Sequence, residues 1–198
     1  YADGVSRSER DADRKRRGAW YTPLPLVEAV VREAVFTGAR SALDPSCCDG
    51  RFLRATGVPE QTGVDIDPST PFEHGDALHR DWGGATFDVV VGNPPFLSQL
   101  SSATTRGGRS PLGGGPYADT AVEFLALALR LTRPGGRIGL VLPQSVLSSR
   151  DAAPVRAELM RHAALRWMWW SDTQMFEANV RVWAGVWEAG RSEEHTSE

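Results

Sequence analysis

Ser41-Ala42-Leu43-Asp44-Pro45-Ser46-Cys47-Cys48-Asp49-Gly50-Arg51-Phe52-Leu53 reads as a short strand, a tight turn and the opening of a helix. The strand covers Ser41 to Asp44 and the helix runs from about Arg51 to Thr56. Gly50 gives the turn a residue with no side chain, so a ligand can lie close across it. Asp44, at the strand's carboxyl end, is suited to hold a cationic group. In sheets built from alternating strands and helices, ligands bind beyond the carboxyl ends of the strands. The turn is therefore the first place to look for a site.

Upstream, Pro23 to Phe36 carries Leu26, Val27, Val30, Val31 and Val35 at helical spacing. Downstream, Gly63 to Ile66 reads as a second strand, Phe72 to Gly75 as a third, and Phe87 to Val91 as a fourth. Asp119 is placed to cap a helix reaching Leu131, which Pro134-Gly135-Gly136 ends. Arg137 to Leu142 is an apolar fifth strand and Ala152 to His162 a helix. Two Trp-rich segments, Leu165–Trp170 and Val180–Trp187, are expected to close the domain as a β-hairpin, with Trp167, Trp169, Trp170, Trp183 and Trp187 forming its core. The alternation predicts an α/β domain with a mostly parallel sheet covered on both faces. Residues 97–116, rich in Ser, Gly and Thr, are either a functional loop or disordered.

Composition narrows the classes of function without choosing among them. At 198 residues, 41% hydrophobic and 24% charged, the chain suits one globular domain. No run approaches the roughly 18 apolar residues that span a bilayer, and no secretory signal opens the chain. Cys47 and Cys48 are adjacent, so they staple nothing, and a reducing cytoplasm is the expected compartment. Two neighbouring cysteines without histidines also make a poor metal site, so no metal is expected. The net charge of −3 gives nucleic-acid binding no general support, but Arg14-Lys15-Arg16-Arg17 form a local basic cluster in a polar arm, residues 1–17. The terminal Arg191-Ser192-Glu193-Glu194-His195-Thr196-Ser197-Glu198 resembles translated sequencing-adapter read-through, so residues 191–198 are expected to be an artefactual tail, with native sequence beyond about Gly190 missing.

Two further aspartates follow apolar runs in strand order: Asp65 in Asp65-Ile66-Asp67-Pro68, and Asp76 in Gly75-Asp76-Ala77-Leu78. Each is either a turn or cap residue or a cofactor contact. In the second reading Asp65 accepts hydrogen bonds from both hydroxyls of a ribose, and Asp76 accepts one from an adenine amino group. A nicotinamide dehydrogenase would usually place G-x-G-x-x-G at the first turn, and this chain does not. The fourth strand is followed by Asn93-Pro94-Pro95-Phe96.

With that tetrapeptide added, the order resembles the N6-adenine DNA methyltransferase family in its amino-first arrangement, of the restriction–modification type. The resemblance covers residues 18 to about 188, taken as the catalytic domain 18–190. Gly18-Ala19-Trp20-Tyr21-Thr22-Pro23 is similar to the family's G-x-Y-Y-T-P, and Asp44 through Leu53 to its D-P-A-C-G-S-G-x-F-L. The resemblance implies a Rossmann-like, class I S-adenosylmethionine-dependent fold, with a seven-stranded, mostly parallel sheet and a C-terminal antiparallel hairpin. It implies S-adenosylmethionine as cofactor, held by Tyr21, Thr22, Pro23, Asp44, Ser46, Cys47, Gly50, Phe52, Asp65, Ile66, Asp76, Ala77 and Asn93. Asn93, Pro94, Pro95 and Phe96 become the catalytic residues, and DNA with a flipped adenine becomes the partner. The family carries its target-recognition domain after the catalytic region. None follows here, so that domain, or a specificity subunit, is expected to be missing.

Chemistry supports the assignment. The exocyclic nitrogen of adenine is a poor nucleophile because its lone pair is delocalised into the ring. The Asn93 side-chain oxygen and the Pro94 carbonyl can accept its two hydrogens, localising the lone pair, while two prolines keep the acceptors in place. Phe96 offers a face for a base that must leave the duplex to be reached. Phe176, in Met175-Phe176-Glu177-Ala178, is either the opposing wall or core. One residue departs from the family: Cys48 stands where glycine is usual. A positive φ there would cost cysteine of order 1 kcal/mol, and its side chain would crowd the cofactor, predicting weaker binding than with glycine. The competing readings are methylation of a protein glutamine amide, methylation of an RNA guanine or adenine, and a catalytically defective cofactor-binding fragment. The Tyr-Thr-Pro element and the basic arm favour DNA.

Overall fold

The computed structural model describes residues 21–96, 119–171 and 181–190. The expected basic arm, the 97–116 loop, Gly18 to Trp20, Phe176 and the tail all lie outside the described residues.

Helix α1 (Leu24–Ala34) buries Leu26, Val27, Val30 and Val31 as their spacing predicts, but its fifth buried position is Ala34, while Val35, expected in the stripe, lies past the helix and is half-buried. It ends two residues before Phe36 because Val35 turns extended. Strand β1 (Ser41–Asp44) and helix α2 (Arg51–Thr56) fall where the opening stretch placed them. Strand β2 (Glu60–Asp65) starts earlier than its apolar residues suggested, because its first three positions pair with β1 and are not fully buried. Strand β3 shrinks to Glu73–His74, both exposed at the sheet edge. Strand β4 (Phe87–Gly92) is buried along its last four residues.

Helix α3 (Thr120–Leu131) begins where Asp119 accepts the Ala121 N–H at 3.0 Å. Strand β5 (Thr132–Pro143) follows without a break. Pro134-Gly135-Gly136 was expected as a helix stop outside the strand, yet it lies inside β5 as a bulge. Phe87 pairs with Thr132 while Val89 pairs with Arg137. Gly135 there has φ 75°, and a Cβ on Gly136 would stand 2.7 Å from the Asp88 carbonyl oxygen. Two glycines in sequence serve a left-handed turn and a close approach. A short helix α4 (Ser145–Ser148), not anticipated, precedes α5 (Ala153–His162).

The seven strands run in the order β3-β2-β1-β4-β5-β7-β6, with β6 at Ala163–Trp170 and β7 at Val182–Ala189. Strands β1 to β5 are mutually parallel, and β7 runs antiparallel to both β5 and β6. The expected hairpin pairing is present, but β7 is inserted between β5 and β6. One apolar cluster joins the sheet to α3, α4 and α5, and a second joins its other face to α1 and α2.

The tryptophans divide. Trp183 and Trp187 are buried, meeting edge to face at 5.6 Å, and the Trp183 indole N–H donates to the Pro143 carbonyl at 3.2 Å. Trp167 and Trp169 are half-buried against the opposite cluster, and Trp170 is 59% exposed. A shift of register between Leu165 and Trp167 breaks the alternation that a single Trp core would need.

Candidate functional site

Strands β1 and β4 are neighbours in the middle of the sheet, and the strand order reverses between them. Crevices at such switch points are where open α/β sheets bind ligands. Asp44 ends β1 and is only 1% exposed. Its Oδ1 accepts the Ser46 N–H at 3.0 Å. Gly92, the last residue of β4, makes room for it: a Cβ there would stand 2.6 Å from the same oxygen. Burial pushes the Asp44 carboxyl up to about 8, and the nearby Asp65 and Asp49 push it the same way.

The turn after Asp44 is held from β2. The Cys47 N–H donates to the Val64 carbonyl at 3.1 Å, and the Gly50 N–H to the Cys47 carbonyl at 2.6 Å. Cys48 has φ 49°, as its glycine-like position predicts, and among the described residues no other non-glycine has positive φ. Asp65 accepts the Cys48 N–H at 2.7 Å and the Asp67 N–H at 2.8 Å. Each of its carboxylate oxygens thus makes one backbone bond and keeps acceptor capacity for another partner. Gly50 is left-handed at φ 76°, and a Cβ on it would overlap the ring of Phe72. The absent side chain therefore accommodates Phe72, a use the sequence reading did not foresee. The Ser46 hydroxyl is buried with no hydrogen-bond partner among the described residues.

Tyr21-Thr22-Pro23 lies against this turn, and Arg51 makes the connection. Its guanidinium donates to the Thr22 carbonyl at 2.6 Å and stacks 4.4 Å from the centre of the Tyr21 ring. It also grips Asp49 through Nε at 3.1 Å and Nη2 at 2.6 Å. Burial opposes ionisation of Asp49, but the Arg51 pairing outweighs it and holds the carboxyl below the usual range. Thr22 is buried, and Pro23 caps α1. Sequence reasoning passed over Arg51. Its position directly after the left-handed Gly50 was the available signal.

Asp76 is exposed and serves its own turn, accepting the Leu78 N–H at 2.9 Å beside His79 Nδ1 at 2.7 Å. Ile66 is 52% exposed next to Asp65, and Ala77, Cys47 and Phe52 are buried packing groups. Asn93-Pro94-Pro95-Phe96 leaves β4 with Pro94 buried, Asn93, Pro95 and Phe96 half-buried, and the Asn93 side-chain oxygen shielded from solvent. Phe96 packs at the rim of both apolar clusters. Asp44, Ser46, Cys48, Asp65 and the base of the Asn-Pro-Pro turn are thereby gathered at one pole. Asp76 stands at its margin.

Strand order, central switch point and a single antiparallel β7 define the fold of the class I S-adenosylmethionine-dependent methyltransferases. Solved structures agree. The M protein of the type I restriction enzyme EcoKI superposes with a TM-score of 0.71 at 19% identity, covering 86% of this chain and 44% of that one. The methyltransferase subunit of a type I restriction-modification system from Streptococcus thermophilus gives 0.70 at 19% identity, covering 87% and 45%. The chain belongs to the Eco57I restriction-modification methylase family, whose profile matches residues 60–176. It is 31% identical over 163 residues to the type II methyltransferase M.TthHB8I of Thermus thermophilus, covering 71% of this chain and 38% of that protein. It is 30% identical over 107 residues to the type II methyltransferase M.XhoI of Xanthomonas vasicola, covering 51% and 19%. The chain thus spans less than half the length of these curated relatives.

Proposed function

We propose that this domain binds S-adenosylmethionine across the ends of β1, β2 and β4 and methylates the N6 amino group of adenine in DNA. The observation that carries the reading is the placement of Asn93-Pro94-Pro95-Phe96 at the switch point, directly after the Gly92 that accommodates the buried Asp44. The residues present fit the cofactor. The buried Asp44 carboxyl, with no cation beside it among the described residues, suits its amino group, and the buried Ser46 hydroxyl, without a partner among those residues, offers a polar contact. The remaining acceptor capacity of Asp65 suits ribose hydroxyls. When bound, the cofactor supplies an electrophilic methyl on a sulfonium.

The chain's own residues then activate and aim the nucleophile. The Asn93 side-chain oxygen and the Pro94 carbonyl accept the two amino hydrogens and draw the lone pair out of the ring. Two successive prolines hold those acceptors rigid, so orientation accounts for most of the rate enhancement. Phe96 stacks on the flipped base, worth about 1–3 kcal/mol, with Phe176 as the opposing wall. Tyr21, Thr22 and Pro23 close over the methionine end through Arg51. Restriction–modification relatives support DNA as substrate. Choice of target sequence is assigned to a recognition domain in a longer polypeptide or to a separate specificity subunit.

The test is label transfer from S-adenosylmethionine to duplex DNA, RNA and release-factor protein, followed by nucleoside analysis of the labelled product. N6-methyladenine in DNA, lost in Asn93→Ala by about a hundredfold or more, is the expected result. Label in protein or RNA alone overturns the reading.

A further inference from the structure

The segment after β2 returns to the turn between β1 and α2 at a single hydroxyl. Thr70 Oγ1 lies 3.1 Å from the Cys48 carbonyl oxygen, 3.4 Å from Cys47 Sγ and 3.3 Å from the Phe72 nitrogen. A threonine hydroxyl has one proton to give. Donated to the Cys48 carbonyl, it leaves the oxygen free to accept from the Phe72 N–H and from the Cys47 thiol. Burial pushes that thiol up to about 12, so it keeps the proton it donates. On the other side of Cys48, the N–H is taken by Asp65 at 2.7 Å. The N–H and the C=O of this left-handed cysteine are therefore both held by residues in and after β2. Left-handed φ is unfavourable for a residue with a Cβ, so a free loop with cysteine here would relax away from it. Phe72, two residues on from Thr70, covers Gly50 and completes the grip.

We infer that Thr70 is a positioning residue, which touches no cofactor atom but locks Cys48 left-handed and so presents the turn in its binding conformation. The inference rests on reading that turn as the cofactor site. It explains how cysteine stands where glycine is usual: a hydroxyl 22 residues away in sequence supplies the restraint that glycine would not need. An affinity is reduced by whatever fraction of the loop leaves the competent conformation, so loss of the restraint appears in binding.

Calorimetry with S-adenosylhomocysteine on the wild-type chain, Thr70→Val, Thr70→Ser, Cys48→Gly and the Cys48→Gly/Thr70→Val double variant tests it, alongside amide exchange at Cys48. Thr70→Val removes the donor at similar volume and is expected to weaken binding about tenfold, while Thr70→Ser restores it. The double variant is expected to bind within about threefold of Cys48→Gly, because glycine enters the left-handed region without the steric penalty that cysteine carries there. A structural role alone would weaken the single and the double variant alike, which overturns the inference. Wild-type affinity in Thr70→Val also overturns it. If Thr70→Val does not fold, Thr70→Ala carries the same comparison. If the wild-type chain takes up no S-adenosylhomocysteine, the functional reading fails, and exchange at residue 48 decides this one. Faster exchange in Thr70→Val that Thr70→Ser reverses sustains it, and unchanged exchange refutes it.

Discussion

Two aspartates mark the two ends of β1, and they are opposites. At the lower pole, Asp88 of β4 reaches the start of β1. It accepts the Arg40 N–H at 2.7 Å, the Ser41 N–H at 2.9 Å and the Arg133 guanidinium at 2.5 Å. Burial opposes its charge, but the two backbone bonds and Arg133 prevail and lower it to about 2. At the upper pole, Asp44 has one backbone bond, two carboxylate neighbours and no cation among the described residues, and burial raises it to about 8. The first carboxylate is saturated by its own chain and fastens the sheet. The second is buried with little compensation among the described residues, at a cost in stability. A group whose needs the fold already meets is structural, and one whose needs it leaves open points to a ligand.

The largest test removes the fastened end. Asp88→Ala strips two backbone N–H groups and a guanidinium of their acceptor and is expected to cost about 3 kcal/mol in denaturant unfolding at neutral pH. Because Asp88 is depressed in the fold, its stabilisation is present above the ordinary carboxylate range and lost as pH falls toward 2. An acid melt of the variant should therefore lack that part of the slope.

The opposite sign is expected at the other end. Asp44 is raised in the fold, so stability is full at acid pH and declines as pH climbs from about 4 through 8. Asp44→Asn should remove that decline and leave the protein at least as stable as wild type near pH 8. The same variant is expected to weaken S-adenosylmethionine binding by about 10- to 100-fold, as loss of a charge-assisted bond would. A stable variant with wild-type affinity would erase the contrast between the two poles.

Arg51→Lys probes the upper pole more gently. A single ammonium cannot pair with Asp49, bond to the Thr22 carbonyl and stack on Tyr21 together. The expected result is a rise in KM for the cofactor of about fivefold with kcat little changed, as loosening the Tyr-Thr-Pro segment proposed to cover the methionine end would alter binding before chemistry. The smallest effect is Cys48→Gly. Relief of left-handed strain is expected to raise stability by about 0.5–1 kcal/mol in thermal or denaturant melts.

Much of the upper pole was legible because its parts are short and lie at strand ends. Asp44, Asp65 and Asn93-Pro94-Pro95-Phe96 could be placed at strand ends from runs of a few residues, and the left-handed Cys48 followed from standing in a glycine's place, whereas Gly50, read as room for a ligand, accommodates Phe72. What escaped acts between segments. Arg51 works on Thr22, 29 residues back, and Thr70 on Cys48, 22 residues back. Gly92 matters because of a carboxylate on another strand, and Phe72 because two glycines across the fold leave room for its ring. Periodicity in one segment carries no record of such partners. The same limit explains the misplaced Pro134-Gly135-Gly136, whose meaning depends on the Asp88 carbonyl opposite it. It also explains the tryptophans, whose burial is set by a bulge in β6.

The place of β7 between β5 and β6 has a consequence for biosynthesis. Among the described residues, the Arg137–Pro143 edge of β5 is paired only by Val182–Ala189, and β6 pairs with no strand but β7. A nascent chain leaving the ribosome thus carries two open strands, one of them studded with Trp167, Trp169 and Trp170, until that last insertion closes both at once. Interruption of translation after β5 and before residue 182 would release a sheet with that edge bare, a template for aggregation and a substrate for chaperones and proteases.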